Sequence, residues 1–215
     1  MSKRIQEQFD VDMRRLRKML SKVIDGDEQS VRESLRKKEE TRVLDIACGA
    51  CVEADALTDF LADLRDEKGA KVKLTGIDVR AREISDAQRQ FGGKKIDRKR
   101  EVEKEFEFMT GDATKLDGHG ELGDDFDLVF MRHQNYWNGK RTWEEIFDQA
   151  LGKLSDDGNL VITSYFDKEH ELAMEALQRL GGELVKTEFN EETRILPTPG
   201  KSVDRHVAVF RKKKP

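Results

Sequence analysis

Two kinds of hydrophobic spacing alternate along the 215-residue chain. Short apolar runs, such as residues 42–47 and 126–131, have the length and content of strands that are buried in a sheet. Between them lie stretches in which apolar residues recur every three or four positions, as on one face of a helix. Strands that alternate with helices predict a parallel sheet covered on both faces, which is the α/β class.

The pattern predicts seven strands in one doubly wound, mostly parallel sheet. The predicted strands are 42–47, 72–78, 106–110, 126–131, 160–166, 183–189 and 203–210. Helices are predicted at 4–24, after Ser30 (where Ser30 and Glu33 form a capping box), and around 57–64, 82–91, 143–154 and 172–177. A loop with Pro197 and Pro199 joins the last two strands and lacks helical periodicity, so the last strand is expected to be antiparallel.

The chain shows no composition break that would mark a second domain. Residues 1–40 are predicted to form an N-terminal helical arm on an α/β domain at 41–215, a single domain overall. The mostly charged segment 94–104, which is locally basic, is expected to be a solvated loop, and so is the basic tail 211–214. Either could contact phosphates, but neither is interleaved with aromatic residues.

Composition narrows the class of protein. The chain has 40 Lys and Arg against 44 Asp and Glu, a net charge of −4, which excludes a globally basic nucleic-acid binder. No apolar run is long enough to cross a membrane, so no membrane partner is expected. The first residues are charged and do not form an apolar signal core, and two cysteines three positions apart make no disulfide framework. A soluble protein of the cytoplasm is expected.

Acidic and small residues follow the first three strands of the core. In an open parallel sheet, ligands bind at the carboxyl ends of the strands. Asp45 and a turn of small residues end the first strand, Asp78 ends the second and Asp112 follows the third. Small turn residues let a ligand approach the backbone, and an acid after the second strand can accept hydrogen bonds from ribose hydroxyls. A nucleoside joined to an amino acid satisfies all of these groups.

In these segments the chain resembles class I, Rossmann-like S-adenosylmethionine-dependent methyltransferases. Residues 43–49 resemble the first motif of that family, 76–78 its ribose-binding motif, 111–113 its adenine-contacting motif, 126–130 its fourth strand and 154–160 the turn before its fifth. The resemblance runs from about Arg42 to Phe210. It implies methyl transfer from S-adenosylmethionine, with S-adenosylhomocysteine as product. The acceptor is expected to be a small molecule, with RNA or protein as alternatives.

The resemblance also implies which residues bind the cofactor. They are Asp45, Ala47, Cys48, Gly49, Cys51, Asp78, Val79, Gly111, Asp112 and Ala113, with Met131 and Arg132 beside the methyl group or the cofactor carboxylate. Where the family commonly has three glycines, this chain has Ala47, Gly49 and Cys51, and the Cys51 side chain could narrow the site. N-terminal arms in this family often close over the cofactor pocket, so Ile5 and Phe9 are expected to line it.

His133 follows the fourth strand and is the candidate catalytic residue. A neutral imidazole there could take a proton from an attacking hydroxyl, amine or thiol, although a structural histidine fits the sequence equally well. Tyr136 and Trp137 could face the acceptor, or Trp137 could pack on the next helix. The spacing of Cys48 and Cys51 also occurs in redox and metal sites, but without a second pair small turn residues are favoured, and no metal is predicted.

Two other functions compete with methyl transfer. An NAD-dependent oxidoreductase would share the sheet, but its Gly-x-Gly-x-x-Gly fingerprint is missing. A non-catalytic protein that binds the cofactor or a partner on the same fold fits the Ala47 and Cys51 departures.

Overall fold

The computed structural model describes residues 3–25, 31–36, 38–64 and 69–213. Its helices are α1 (Lys3–Asp25), α2 (Val31–Arg36), α3 (Ala54–Asp63), α4 (Ala81–Phe91), α5 (Lys140–Gly152) and α6 (Asp167–Arg179). Its strands are β1 (Glu40–Ile46), β2 (Lys71–Asp78), β3 (Gly93–Asp97), β4 (Val102–Thr110), β5 (Phe126–Arg132), β6 (Leu154–Ser164), β7 (Gly182–Phe189), β8 (Arg194–Ile195), β9 (Ser202–Val203) and β10 (His206–Lys212). Ser30, the predicted cap of α2, lies outside the described residues.

The main sheet has eight strands in the order β3-β4-β2-β1-β5-β6-β10-β7. The five central strands run parallel, and they are β4, β2, β1, β5 and β6 in spatial order. Strand β10 lies between β6 and β7 and runs antiparallel to both. This arrangement confirms the predicted α/β class and the antiparallel last strand. A separate two-stranded ribbon, β8 and β9, follows β7.

The predicted strand number of seven is wrong by one because segment 94–104 is not a loop. It forms β3 and the start of β4, which pair antiparallel and cover the sheet edge. Charge hides this hairpin in the sequence. The Lys95 ammonium lies over the rings of Phe91 and Phe106, at 5.4 and 4.9 Å from their centroids, while Lys94 pairs with Glu103 across the strands. Lysine stems cover apolar surface here, so the segment lacks the apolar alternation of an ordinary strand.

Two hydrophobic cores lie on the two faces of the sheet. Helices α1 to α4 cover one face, and α5 and α6 cover the other. The predicted arm is part of the first core, since Leu16, Leu20 and Val23 of α1 are fully buried against it. Successive residues of β5 alternate between the cores, with Phe130 in the first and Met131 in the second. No helix in the described ranges is long and apolar enough to cross a membrane.

Candidate cofactor and acceptor site

A cavity of about 330 Å³ opens at the carboxyl ends of β1, β5 and β6. Its walls combine the turn after β1, the ends of β5 and β6, the β8–β9 ribbon and the first half of α1. The lining residues are Phe9, Asp12, Met13, Ala47, Cys48, Gly49, Val52, Glu53, Arg80, Arg132, His133, Tyr165, Arg194 and Val203. The cavity therefore lies where sheets of this kind bind their ligands.

The turn after β1 has a left-handed backbone at three positions. Ala47, Gly49 and Cys51 have φ values of 56°, 57° and 46°. These are the positions where the resemblance expects glycine, and for alanine and cysteine the left-handed conformation is unfavourable. Ala47 and Gly49 line the cavity. Cys51 does not, because its side chain is fully buried and its thiol donates to Asp45 Oδ2 at 3.1 Å. Cys51 therefore does not narrow this cavity.

The two cysteines are free thiols buried beside acidic groups. Burial raises the pKa of Cys51 well above its ordinary value, and the pKa of Cys48 is also raised. Both thiols therefore stay protonated, which is unlike a metal ligand or a reactive nucleophile. No group of three or more potential metal ligands occurs in the part of the chain that the structure describes.

Asp45 is completely buried beneath the turn. Burial, with the nearby Glu53 carboxylate, raises the pKa of Asp45 well above its ordinary value. Its Oδ1 atom has no hydrogen-bond partner among the described residues, while Oδ2 accepts the Cys51 thiol. Glu53 is also buried, and its pKa is raised by burial. Two buried carboxyl groups thus lie under and beside the turn, and burial shifts both toward the protonated form.

Asp78, at the end of β2, accepts four hydrogen bonds. The Gly49 N–H donates to Oδ2 at 2.8 Å and the Arg80 N–H to Oδ1 at 2.9 Å. The Arg80 guanidinium adds Nε to Oδ1 at 2.9 Å and Nη2 to Oδ2 at 3.1 Å. Although partial burial opposes it, these bonds hold the pKa of Asp78 below its ordinary value. Asp78 is therefore an ionised acceptor next to the small-residue turn.

The predicted adenine side combines one apolar and one acidic group. Val79 is 70% exposed, which is unusual for a valine at a strand end. Asp112 is exposed, and its Oδ1 accepts both the N–H and the hydroxyl of Thr114, at 3.0 and 2.8 Å, which lowers its pKa. A Cβ on Gly111 would lie 2.7 Å from Ile77 Cδ1, so a larger residue there would displace that side chain. Ala113 is buried beneath.

The structure separates the two residues predicted beside the methyl group. Met131 is buried in the second core and does not line the cavity, because its position in β5 directs it to the α5–α6 face. Arg132 does line the cavity and forms a bidentate pair with Asp204, Nε–Oδ1 2.9 Å and Nη2–Oδ2 2.6 Å. Its Nη1 is 3.6 Å from Glu53 Oε2. Burial would lower the pKa of Arg132, but these carboxylates raise it.

His133 is held rigidly at the cavity wall. Its backbone is left-handed, φ 60°, and its ring stacks on Tyr165 with the centroids 3.7 Å apart. Nε2 lies 3.1 Å from the Asp204 N–H and 2.8 Å from Asp204 Oδ1. Burial lowers the pKa of His133, against the opposing effect of Asp204, so the imidazole is neutral at pH 7. Nε2 makes both contacts: accepting the Asp204 N–H leaves the proton of the neutral ring on Nδ1, whereas donating to Asp204 Oδ1 leaves Nδ1 unprotonated.

Helix α1 covers the cavity with Phe9, Asp12 and Met13, which share one helix face. Asp12 is buried, and its Oδ2 accepts hydrogen bonds from Arg194 of β8, from Nε at 3.0 Å and from Nη2 at 2.6 Å. Phe9 thus lines the cavity as expected, and closure of the arm over the pocket stays a prediction. The Ile5 side chain lies outside the described part of the chain.

Sequence reasoning missed Asp12, Glu53, Tyr165, Arg194 and Asp204. The spacing of Asp12 from Phe9 was the one available signal, since both fall on the same face of a predicted helix. Tyr136 and Trp137 were candidates, but neither lines the cavity. Tyr136 stacks on Phe147 and Trp137 packs edge-on against Phe166, 5.0 Å between centroids.

The residues present fit S-adenosylmethionine. Asp78 is ionised and would accept hydrogen bonds from ribose hydroxyls, and Val79 exposes an apolar side chain that adenine would cover. Arg80 donors already lie on Asp78 at the place that resemblance gives to the ribose.

Comparison with known proteins agrees with this geometry. Residues 37–203, well over half of the chain, match the family model described as a methyltransferase domain. No curated protein matches the chain in sequence.

Solved structures share the fold at low sequence identity. A TehB-like S-adenosylmethionine-dependent methyltransferase from Corynebacterium glutamicum is 18% identical over 97% of this chain and 100% of its own, with a TM-score of 0.52. The N-methyltransferase NodS from Bradyrhizobium japonicum is 20% identical, covering 81% and 86%, with a TM-score of 0.54. An rRNA methylase from Streptococcus thermophilus is 18% identical, covering 86% and 92%, with a TM-score of 0.53.

The chain belongs to the methyltransferase domain family. It is a class I, Rossmann-like enzyme that transfers a methyl group from S-adenosylmethionine and leaves S-adenosylhomocysteine.

Proposed function

We propose that the enzyme methylates a small molecule bound in the roofed cavity, with His133 as proton acceptor. The observation that carries this proposal is the roof itself: Phe9 and Met13 lie over the cavity, and the Asp12–Arg194 pair ties the roof to the β8–β9 ribbon. Because α1 forms part of the wall of a cavity of about 330 Å³, the space beside His133 suits a small molecule better than a folded RNA or a protein segment.

The cofactor residues divide by the part of the ligand they suit. Asp78 would hold the ribose, and Val79 and Asp112 the adenine. Ala47, Cys48 and Gly49 give a close approach to the backbone for the methionine part. Cys51 and Asp45 support that turn from below, because the Cys51 thiol donates a hydrogen bond to the Asp45 carboxylate. Gly111 and Ala113 shape the floor under the adenine.

His133 has the surroundings of a general base. When bound, S-adenosylmethionine supplies an activated methyl group, so the chain has to orient an acceptor and remove its proton. In the tautomer with the proton on Nε2, this nitrogen donates to Asp204 Oδ1 in place of accepting the Asp204 N–H, and the Nδ1 lone pair is then available for the acceptor proton. Asp204 is suited to stabilise the imidazolium that results, because Arg132 and His133 keep its pKa low despite burial.

The cavity wall indicates the kind of acceptor. Phe9, Met13, Tyr165 and Val203 give the otherwise charged lining an apolar part, and Tyr165 stacks on His133. We infer an acceptor with a flat or apolar body and one hydroxyl, amine or thiol that reaches His133. The similar structures do not decide between acceptors, since one is called an N-methyltransferase and another an rRNA methylase.

An acceptor screen tests this proposal. Purified enzyme with labelled S-adenosylmethionine is offered phenols, aromatic amines, thiols, RNA and protein extract. With a small acceptor found, His133→Asn is expected to reduce kcat by about 10²–10⁴-fold. Its affinity for S-adenosylhomocysteine, measured by calorimetry, is expected to stay near that of the wild type.

His206→Asn is the matched control. His206 also pairs with an aspartate, Asp167, but lies away from the cavity, so this variant is expected to keep full activity. Label found only in RNA or protein would contradict the small-molecule acceptor. Full turnover by His133→Asn would contradict the role of His133.

A further inference from the structure

Arg80 makes two different kinds of contact at the proposed ribose site. Its backbone N–H and its guanidinium both donate to Asp78, as described above. The guanidinium also lies across the turn, so that a Cβ added to Gly49 would come within 2.9 Å of Arg80 Nη2. The side chain nevertheless is 58% exposed, so solvent is open to it if it leaves Asp78.

The acceptor capacity of Asp78 is used up in this arrangement. An ionised carboxylate offers about four lone-pair positions. Two take the backbone N–H groups of Gly49 and Arg80, which are fixed by the turn and by the start of α4. The other two take Nε and Nη2 of the Arg80 side chain. Two ribose hydroxyls can therefore bind Asp78 only in place of the guanidinium.

We propose that Arg80 sets the affinity for the cofactor by competing with the ribose for Asp78. The guanidinium occupies the carboxylate in the ligand-free enzyme and swings toward solvent when the nucleoside binds. Two charge-assisted bonds from arginine are then exchanged for two from hydroxyls, so part of the binding free energy is spent on displacement. This inference rests on the proposed ribose role of Asp78. It adds a residue that weakens cofactor binding while contacting the same carboxylate.

The expected effect is modest because the Arg80 side chain is largely exposed, although Asp78 is buried. A guanidinium that keeps much of its hydration gains little from its partner, so Arg80→Ala is expected to bind adenosine and S-adenosylhomocysteine about 3–10-fold more tightly than the wild type. Calorimetry with both ligands measures this. Arg89→Ala is the matched control, since it removes an arginine of α4 that pairs with Asp86 and does not contact Asp78. Its affinity for both ligands is expected to be unchanged.

Salt dependence separates competition from a structural effect of the substitution. Adenosine is uncharged, so salt acts mainly on the Arg80–Asp78 pair. Raising NaCl from about 0.05 M to about 0.5 M screens that pair and should tighten adenosine binding to the wild type. Binding to Arg80→Ala should not change with salt. Thermal unfolding of each variant confirms that it is folded.

Weaker or unchanged binding by Arg80→Ala would overturn the competition. Weaker binding would mean that the guanidinium holds the cofactor instead of opposing it. Asp78→Asn tests the proposed ribose role of Asp78. If this variant binds adenosine as well as the wild type, that role is wrong and the inference about Arg80 is wrong with it. If Asp78→Asn loses binding, that role stands, and the Arg80→Ala result alone decides.

Discussion

Arg132 and Asp204 form a buried bidentate ion pair beside the cavity, between the end of β5 and the turn before β10. Thr163 donates a further hydrogen bond to Asp204 Oδ1 at 2.9 Å. Breaking one partner of such a pair leaves a buried charge without compensation. We therefore expect Asp204→Asn to lower the free energy of unfolding in urea by roughly 3–5 kcal/mol.

Asp167 provides a matched comparison, since its carboxylate pairs with Arg205 in the same bidentate way but on the surface, at 2.6 and 2.9 Å. Asp167→Asn is expected to lower the free energy of unfolding by less than about 1 kcal/mol. Because the pKa of Asp204 is lowered in the fold, its contribution is present above its unfolded pKa and is lost as the pH falls toward its folded pKa. Equal effects of the two substitutions would contradict this account.

The left-handed turn after β1 predicts a stabilising substitution. Ala47 has φ 56° and carries a Cβ where glycine has no penalty, so Ala47→Gly should relieve strain of about 1–2 kcal/mol. The greater freedom of glycine in the unfolded chain offsets roughly half of this. A net gain of about 0.5–1 kcal/mol in the free energy of unfolding is expected.

Ala50→Gly is the control for that substitution. Ala50 lies in the same turn but outside the left-handed positions, so glycine there brings only the entropic loss. Its free energy of unfolding should fall. A loss of stability in Ala47→Gly as large as that in Ala50→Gly would show that the turn is unstrained.

Glu169 predicts a dependence of stability on pH. Its side chain is 1% exposed and accepts the Tyr165 N–H at 3.1 Å, with further hydrogen bonds from the backbone of Phe166 and Tyr136. Burial outweighs these bonds and raises the pKa of Glu169 to about 7. The folded state therefore binds a proton that the unfolded state has lost between its ordinary pKa of about 4.5 and about 7, so this group makes stability fall as the pH rises through that window.

Glu169→Gln removes this titration. The stability of the wild type relative to Glu169→Gln should decrease by up to about 3 kcal/mol from pH 5 to pH 8, measured by urea unfolding at each pH. Exposed Glu171 on the same helix offers the control Glu171→Gln, which removes a surface glutamate charge from α6. A difference that does not vary with pH would show that Glu169 titrates near its ordinary pKa.

The Asp12–Arg194 pair predicts how the roof of the cavity is held. Asp12→Asn weakens a partly buried charge-assisted pair, so the first half of α1 should exchange its amide hydrogens faster, by roughly 5–30-fold. Glu192→Gln breaks the exposed pair between Lys18 of α1 and Glu192, which follows β7. This variant should change the amide exchange rate of α1 little. Equal protection of the α1 amides from exchange in Asp12→Asn and in the wild type would show that the Asp12–Arg194 pair does not hold this part of the helix.

The fold was predictable where local pattern and tertiary environment agree. The apolar runs of β1, β2 and β5 and the stripe on α1 fixed the strand and helix order. Charge defeated the same reasoning at β3, because Lys95 lies over apolar rings and Lys94 pairs with Glu103 across the strands. Only the partner strand reveals these contacts.

About half of the residues of the candidate site could also be predicted from the sequence. Asp78, Gly49 and His133 follow predicted strands, and the ends of parallel strands meet at one edge of the sheet. Asp204 and Arg194 come from the ribbon region after β7, whose path no periodicity describes, so their contacts with His133 and Asp12 had no signal in the sequence. Met131 was misplaced because its two-residue alternation with Phe130 decides which face of β5 it occupies.

Helix α1 has one apolar face, which packs into the hydrophobic core in its second half and lines the cavity in its first half. Leu16, Leu20 and Val23 belong to the core, while Phe9 and Met13 cover the cavity. We expect product release to need fraying of only the first turns, because the later turns are anchored in the core. Stronger helix formation in the first turns would then slow turnover without a change in either ligand site.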